Sequence, residues 1–175
     1  EPIFDRDFSE SSFGFRPGRN QKQAVDQAQL FVQAGFEWVV DIDLSKFFDR
    51  ISHDRLIQRM SLKIEDKRIL RIIGMFLRSG VMLGQGVLEA TKQGSPQGGP
   101  ISPLLSNIVL DELDKELERK ELNFCRFADD CNIFVKRQVD AERVMKSITK
   151  FIETRLKLVV NKEKSKIAPS QEVKF

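Results

Sequence analysis

Hydrophobic residues recur with helical spacing in several stretches of the chain. Ala24, Ala28 and Phe31 share one face of a helix predicted over Gln21–Gln33, which Gly35 ends. Similar spacing predicts four more helices. They run from Asp54 to Met60, from Glu65 to Arg78 with Gly80 as its cap, from Leu104 to Arg119, and from a cap at Asp140 with core residues as far as Ile152. In the second of these, the predicted buried face consists of Ile69, Ile72, Ile73 and Phe76.

Strand-like segments alternate with these helices. The first is Trp38–Ile42, after which Asp43 shares a face with Asp41. Apolar runs around short turns predict hairpins over residues 81–91 and 124–135, and short strands near Leu158–Val160 and Ile167 close the chain. From Trp38 onward this order is the split βαββαβ pattern, which predicts an α+β protein with a ferredoxin-like core.

Composition narrows the chemistry. The chain has 175 residues, of which 41% are hydrophobic, enough for one domain with a sizeable core. With one histidine and no tyrosine, the chain can hardly use histidine as a general base, so carboxylates, lysines or metal ions would carry any catalysis. Cys125 and Cys131 have no histidine partners for zinc, and we interpret them as small buried side chains. The net charge of +3 is compatible with a nucleic-acid partner.

Two adjacent carboxylates, Asp129 and Asp130, stand at the tip of the hairpin FCRFADDCNIFV. Taken alone, the pair is typical of a solvated turn. In a ferredoxin-like core, however, this hairpin can lie beside the strand that carries Asp41 and Asp43, because neighbouring strands are about 5 Å apart. Carboxylates crowded in this way repel each other unless cations balance them. Two Mg²⁺ ions would do so, and they would support nucleotidyl transfer.

Five motifs occur in the order of a known family. EWVVDIDLSKFFDRISH, KQGSPQGGPISPLLSN and FCRFADDCNIFV resemble the polymerase motifs of the bacterial group II intron reverse transcriptases, also called intron maturases. SSFGFRPGRN resembles the fingers motif that precedes the first acid, and LKLVVNKEKSKI resembles the lysine-bearing segment after the last palm helix. The resemblance covers nearly the whole chain and implies a polymerase palm with partial α-helical fingers elements.

The resemblance implies a two-metal centre. Asp43, Asp129 and Asp130 match the catalytic acids that bind two Mg²⁺ ions, for which Mn²⁺ substitutes. The Leu44 carbonyl completes a metal shell in this interpretation. Asp41 lies one pleat earlier as a supporting acid, and for this residue a solvated or outer role is at least as well supported as direct binding of a metal ion.

Further residues match the family's nucleotide site. Phe48 is the candidate for the ring that excludes a 2′-hydroxyl and so selects deoxynucleotides, with Phe47 as a rival. Core packing is the alternative for both rings, and Phe47 suits it better. Gln97 and Gly98 match the loop that faces the incoming nucleotide, with a plain loop rich in proline and glycine as the alternative. Arg16 and Arg19 are candidates for binding triphosphate or template phosphates, with surface ion pairs as the alternative.

Lys164 resembles a lysine that protonates the departing pyrophosphate, although Lys162 and Lys166 beside it equally suit an ordinary basic surface. His53 is interpreted as a structural residue at a helix start. The chain departs from the family pattern at Phe127, where the family usually carries tyrosine. We expect the chemistry to persist there without the hydroxyl, and fidelity or affinity to change.

The resemblance also predicts how the chain is organised. Residues 1–36 correspond to a partial fingers segment and residues 37–175 to the palm, in which residues 54–103 are partly fingers-like. The family's thumb and maturase regions are absent from these 175 residues, so we expect a fragment that is inactive by itself.

The resemblance predicts an RNA-directed DNA polymerase that copies intron RNA from a primer with deoxynucleoside triphosphates and acts in intron mobility and splicing. It implies a bacterial cytoplasmic protein with no membrane partner, and it allows a homodimer. Two alternatives stay open: a non-enzymatic RNA-binding splicing factor on a polymerase scaffold, and a defence-associated reverse transcriptase.

Overall fold

The computed structural model describes residues 2–78, 81–82, 88–89, 93–94, 99 and 101–172. The described helices are α1 (Pro2–Asp5), α2 (Gln21–Gln33), α3 (Phe47–Arg50), α4 (His53–Ser61), α5 (Lys67–Arg78), α6 (Ser102–Arg119) and α7 (Gln138–Phe151). A π-helical segment (Ile152–Leu156) continues α7, and a 3₁₀ turn (Ser170–Glu172) follows the last strand. The described strands are β1 (Trp38–Ile42), β2 (Val81–Met82), β3 (Leu88–Glu89), β4 (Asn123–Phe127), β5 (Asp130–Val135) and β6 (Lys166–Pro169).

Four of the strands form an antiparallel sheet in the order β4–β5–β1–β6. β1 lies in the middle, where Val40 pairs with Ile133 on β5 and with Ile167 on β6. β4 and β5 form the predicted hairpin, whose last pair is Phe127 with Asp130. The prediction of an α+β protein is confirmed, and the structure shows that its main sheet is antiparallel.

Helices cover both faces of this sheet. Successive side chains of a strand point to opposite faces, so Val40 and Ile42 of β1 enter the larger core, together with the apolar stripe of α6. Val39 points the other way and packs in a smaller core with Ala28 of α2 and Phe134 of β5. One face of β1 thus carries Val39 and then Asp41 toward the end of the strand.

Two sequence-predicted elements have the predicted bounds, namely α2 and β1. Asn20 begins α2 with a reciprocal capping box, in which its side chain accepts from the Gln23 backbone and the Gln23 side chain accepts from the Asn20 backbone. Gly35, with φ of 86°, follows its end. Gly80, Gln97 and Gly98 lie outside the described residues.

The structure corrects other predictions. α5 begins at Lys67, and it buries Ile73 and Leu77, whereas Ile69 and Ile72 are exposed. Asp140 does not cap α7, because the helix begins at Gln138 and the Asp140 carboxylate instead accepts hydrogen bonds from the Arg137 guanidinium.

The strand predicted over Leu158–Val160 is reduced to a bridge between Val160 and Leu44. Ser45 and Asn161 make the two backbone hydrogen bonds around this bridge: the Ser45 amide donates to the Val159 carbonyl, and the Asn161 amide donates to the Asp43 carbonyl. The residues after α7 therefore lie against the end of β1. No helix among the described residues is long and apolar enough to cross a membrane.

Candidate active site

Four aspartates meet at one end of the sheet. β1 pairs Asp41 with Asn132 and Ile42 with Cys131 of β5, so Asp43 and Asp130 each lie one residue beyond the last pair. The hairpin turn between β4 and β5 places Asp129 next to them. The structure thus brings Asp43 and Asp129, which are 86 positions apart in sequence, to the same end of the sheet, as the sequence predicted.

The acids influence one another electrostatically. Partial desolvation raises the pKa of Asp130, and the carboxylates of Asp129, Asp43 and Asp41 raise it further, while Lys164 opposes them. Burial also raises the pKa of Asp41, where Lys166 lowers it and Asp43 raises it. The end of the sheet therefore holds more negative charge than its lysines neutralise, and this favours binding of a cation.

Asp43 is held by the segment that follows α7. Its backbone amide donates to Ser165 Oγ at 3.0 Å, and the Ser165 hydroxyl donates back to the Asp43 carbonyl at 3.3 Å. Lys164 Nζ lies 3.7 Å from Asp43 Oδ2 on a largely exposed side chain. The lysine predicted from sequence thus lies beside the first acid, and Ser165, which sequence analysis did not single out, positions the backbone of that acid.

The hairpin turn that carries Asp129 and Asp130, here called the acid turn (Phe127–Asp130), contains a left-handed residue. Ala128 has φ of 58°, a conformation that costs a non-glycine residue free energy and needs support from its surroundings. Arg126 supplies part of this support, because its Nη1 donates to the Ala128 carbonyl at 2.6 Å.

Arg126 is fully buried and forms an ion pair with Asp114 of α6, which is also fully buried. Nε and Nη2 donate to the two carboxylate oxygens of Asp114, both at 2.7 Å. Nη2 also donates to Ser12 Oγ at 2.7 Å, and Nη1 donates to Asn107 Oδ1 at 3.0 Å. All five N–H donors of the guanidinium therefore have acceptors.

Sequence analysis did not predict this Arg126 cluster (Arg126, Asp114, Asn107, Ser12 and the Ala128 carbonyl). The signal was an arginine within the apolar run FCRF and an aspartate on the buried stripe of α6. Two opposite charges at core positions of neighbouring elements indicate a buried ion pair, since neither charge is stable there alone.

The segment that precedes α2 packs directly beneath the acid turn. The Phe13 amide donates to the Arg126 carbonyl at 2.9 Å, and Asn107 Nδ2 donates to the Gly14 carbonyl at 2.9 Å. A Cβ built on Gly14 would lie 2.2 Å from the Ala128 nitrogen, which is far inside contact distance. Only glycine allows this close approach of two backbones.

The two phenylalanines after Asp43 differ in burial. Phe47 is buried in the main core, as the alternative interpretation of this residue proposed. Phe48 is half-buried and packs edge-on against Phe47 with 5.2 Å between ring centroids. The role of Phe48 in sugar selection and that of the Leu44 carbonyl in metal binding stay predictions.

Most donors of Arg16 are used within the protein. Its guanidinium donates to Asp5 through both the carboxylate and the carbonyl, and to the carbonyls of Ser9 and Ser12. Arg19 contacts the carboxylate and carbonyl of Glu10. The prediction that these arginines bind phosphate stays a prediction, with Arg16 the less available of the two. Gln97 and Gly98 cannot be placed, since they lie outside the described residues.

His53 is the first residue of α4 and is buried, and its Nε2 lies 2.5 Å from the Gly94 carbonyl. This confirms the structural role predicted for it.

Both cysteines are buried, as predicted. Burial raises the pKa of Cys125 to about 12, so this thiol is protonated and unreactive at neutral pH.

We expect N-ethylmaleimide to leave Cys125 and Cys131 unmodified in the native protein and to alkylate both in urea, as mass spectrometry would show. Rapid native alkylation of either thiol would contradict the packing of the hairpin.

Comparison with known proteins identifies the class. The sequence model of the family described as reverse transcriptase (RNA-dependent DNA polymerase) matches residues 1–175, and the chain belongs to this family. Telomerase from Candida tropicalis superposes with a TM-score of 0.72 at 14% identity, covering 94% of this chain and 32% of telomerase. Telomerase from Candida albicans gives a TM-score of 0.70 at 16% identity, covering 97% and 33%. These likenesses show a shared fold.

Sequence relatives narrow the class to the group II intron type, which confirms the resemblance. The group II intron-encoded protein LtrA of Lactococcus lactis is 35% identical over 167 residues, which cover 95% of this chain and 26% of LtrA. Protein YkfC of Escherichia coli is 30% identical over 205 residues, covering 95% and 54%. The putative COX1/OXI3 intron 2 protein of Saccharomyces cerevisiae is 38% identical over 120 residues, covering 69% and 14%. The chain spans about half or less of the length of these relatives.

Proposed function

We propose that this chain carries the polymerase centre of an RNA-directed DNA polymerase that copies group II intron RNA. The observation that carries the proposal is the convergence of Asp41 and Asp43 with Asp129 and Asp130 at one end of the sheet, in a member of the reverse transcriptase family. The substrates would be deoxynucleoside triphosphates, an RNA template and a DNA or RNA primer.

Two Mg²⁺ ions would be held by Asp43, Asp129, Asp130 and the Leu44 carbonyl, with Mn²⁺ as a substitute. When bound, such ions lower the pKa of the primer 3′-hydroxyl and stabilise the charge of the departing pyrophosphate. The described residues contain no group of three or more acidic, cysteine or histidine side chains already arranged to hold a metal ion. This is compatible with the proposal, because Mg²⁺ in such sites uses one or two carboxylates plus substrate phosphates and water.

The chain's own residues supply orientation and charge. Asp43 and Asp130 extend from neighbouring strands whose register fixes their separation, and Asp41 supports Asp43 from the same face of β1. Lys164, beside Asp43, would donate a proton to the pyrophosphate or balance the charge of the acids. Arg19 would contact phosphate, as would any free donor of Arg16, and Gln97 and Gly98 would face the incoming nucleotide.

The strand order β4–β5–β1–β6 supports a finer description of the fold. We infer a split βαββαβ, ferredoxin-like palm made of β1, α6, β4, β5, α7 and β6. We assign residues 1–36 to the fingers and 37–175 to the palm, with residues 54–103 partly fingers-like. The assignment is supported by the packing of α2 on the face of the sheet opposite α6 and α7.

Phe48 provides a test of sugar selection. Replacing Phe48 with alanine should increase the incorporation of ribonucleotides relative to deoxynucleotides about 10- to 100-fold, because the ring would no longer exclude the 2′-hydroxyl. Single-nucleotide extension with each triphosphate measures the ratio. Phe31→Ala is a matched control, since Phe31 is also half-buried and paired with another ring, Phe36. Unchanged discrimination in the Phe48 variant would remove this residue from the role.

The function itself is tested by primer extension on an RNA template with the full-length natural protein. We expect extension with deoxynucleotides that depends on Mg²⁺ and is restored by Mn²⁺ after chelation. Tight intron RNA binding without any extension would instead support a splicing factor on a polymerase scaffold. Extension on RNA outside any intron, without intron splicing, would favour a defence-associated enzyme.

A further inference from the structure

We infer that Arg126 is a positioning residue for the metal-binding acids. It would act through the acid turn, by holding the Ala128 carbonyl from inside the protein. The inference rests on the proposed function, because it assigns Arg126 to the geometry of Asp129 and Asp130 and not to contact with substrate.

The location of Arg126 supports this role. Among the described residues, Nη1 is the only nitrogen of the guanidinium that forms a hydrogen bond to the acid turn. Its acceptor is the Ala128 carbonyl, directly before Asp129. Ala128 is the left-handed residue of the turn, so this hydrogen bond stabilises the conformation that sets the direction of the next two side chains.

The remaining donors fix the guanidinium itself. Asp114 accepts two hydrogen bonds in a fork, which sets both the distance and the plane of the guanidinium relative to α6. Asn107, also on α6, accepts from the same Nη1 that holds Ala128, while Ser12 fixes the opposite nitrogen. The acid turn is therefore tied to a helix of the core and not only to its own hairpin.

The close packing of Gly14 against the acid turn also limits movement of the turn. Gly14 brings its backbone against the Ala128 nitrogen, and Asn107 holds Gly14 through the carbonyl. Asn107 thus contacts both the residue beneath the turn and the arginine that holds the turn. A buried network with every guanidinium donor satisfied is rigid, which is what a metal site needs from the residues around its ligands.

Arg126→Lys tests the inference in the full-length protein. Lysine keeps the positive charge beside Asp114 but cannot form the fork and reach Ala128 together. We expect kcat for primer extension to fall about 10- to 100-fold with KM for deoxynucleotide nearly unchanged, and the dissociation constant for Mn²⁺, measured by electron paramagnetic resonance, to rise by a similar factor. Hydrogen exchange of the acid turn should accelerate.

The control is Ile148→Ala, a fully buried residue of α7 whose apolar side chain cannot take part in the hydrogen bonds of the Arg126 cluster. It should lower the melting temperature while leaving kcat per folded molecule and Mn²⁺ affinity unchanged. If Arg126→Lys changes kcat and Mn²⁺ affinity no more than Ile148→Ala does, Arg126 has only a structural role and the inference is wrong.

A second variant covers the case in which Arg126→Lys does not fold. Asn107→Ala keeps the Arg126–Asp114 pair and removes the acceptor beside Ala128, so we expect a smaller, several-fold loss of kcat and Mn²⁺ affinity. No change in either quantity would overturn the inference. Mn²⁺ binding and hydrogen exchange do not need polymerase activity, so they separate failure of this inference from failure of the proposed function.

Discussion

Replacing Asp129 with alanine should reduce RNA-templated primer extension by at least about 1000-fold, because a lost metal ligand removes several kcal/mol of stabilisation from the transition state. The folded structure should persist, since Asp129 lies in a turn and is half-buried. Single-turnover extension measures the rate, and circular dichroism with a thermal melt verifies folding.

A matched variant makes this result specific. Glu142→Ala removes an exposed carboxylate from α7 and should leave extension unchanged. If the Asp129 variant extends primers at more than a tenth of the natural rate, the assignment of Asp129 as a metal ligand is wrong, whatever the family membership.

Replacing Asp114 with alanine should have the largest effect on stability. The substitution leaves the Arg126 guanidinium buried without its counter-charge, and breaking such a pair from one side costs about 3–5 kcal/mol. Urea denaturation of the 175-residue chain, followed by the fluorescence of Trp38, its only tryptophan, measures the loss in free energy of unfolding.

Two comparisons test the cause of that loss. Asp140→Ala breaks an ion pair with Arg137 on the surface and should shift the urea midpoint little, because solvent screens exposed pairs. The double variant Asp114→Leu with Arg126→Met should be more stable than Asp114→Ala alone, since it removes the uncompensated charge. If the double variant is as unstable as Asp114→Ala, the loss in free energy of unfolding comes from lost packing and not from the uncompensated charge.

The sequence predicted those features of the fold that depend on the local pattern of apolar and capping residues. Helical spacing and capping residues gave α2 its observed bounds, and alternation in β1 placed Asp41 and Asp43 on one face. The meeting of these acids with Asp129 and Asp130 followed from the order of elements and from the family motifs. Pattern could not show which face of α5 is buried, because apolar residues surround much of that helix and tertiary packing alone selects Ile73 and Leu77.

The supporting residues of the site were harder to predict. Arg126 and Asp114 are 12 positions apart, and each stands out in the sequence as a charge among apolar residues, but the partner of each is fixed by the packing of α6 on the sheet. Ser165 holds Asp43 across 122 positions, and nothing in the local sequence of either residue indicates it. Gly14 is one of two glycines in SSFGFRPGRN, and only its contact with Ala128 explains why a side chain cannot stand there.

The pairing of β1 with β5 also has a consequence for how the chain avoids misfolding. Side chains alternate along a strand, so sliding β1 by a single residue would turn Asp41 and Asp43 toward the apolar interior where Val40 and Ile42 now lie. Each carboxylate buried in this way would cost several kcal/mol, even after relaxation. The acids that we assign to catalysis therefore also penalise a shifted sheet, and chains with an incorrectly assembled centre should not accumulate as a stable, inactive form.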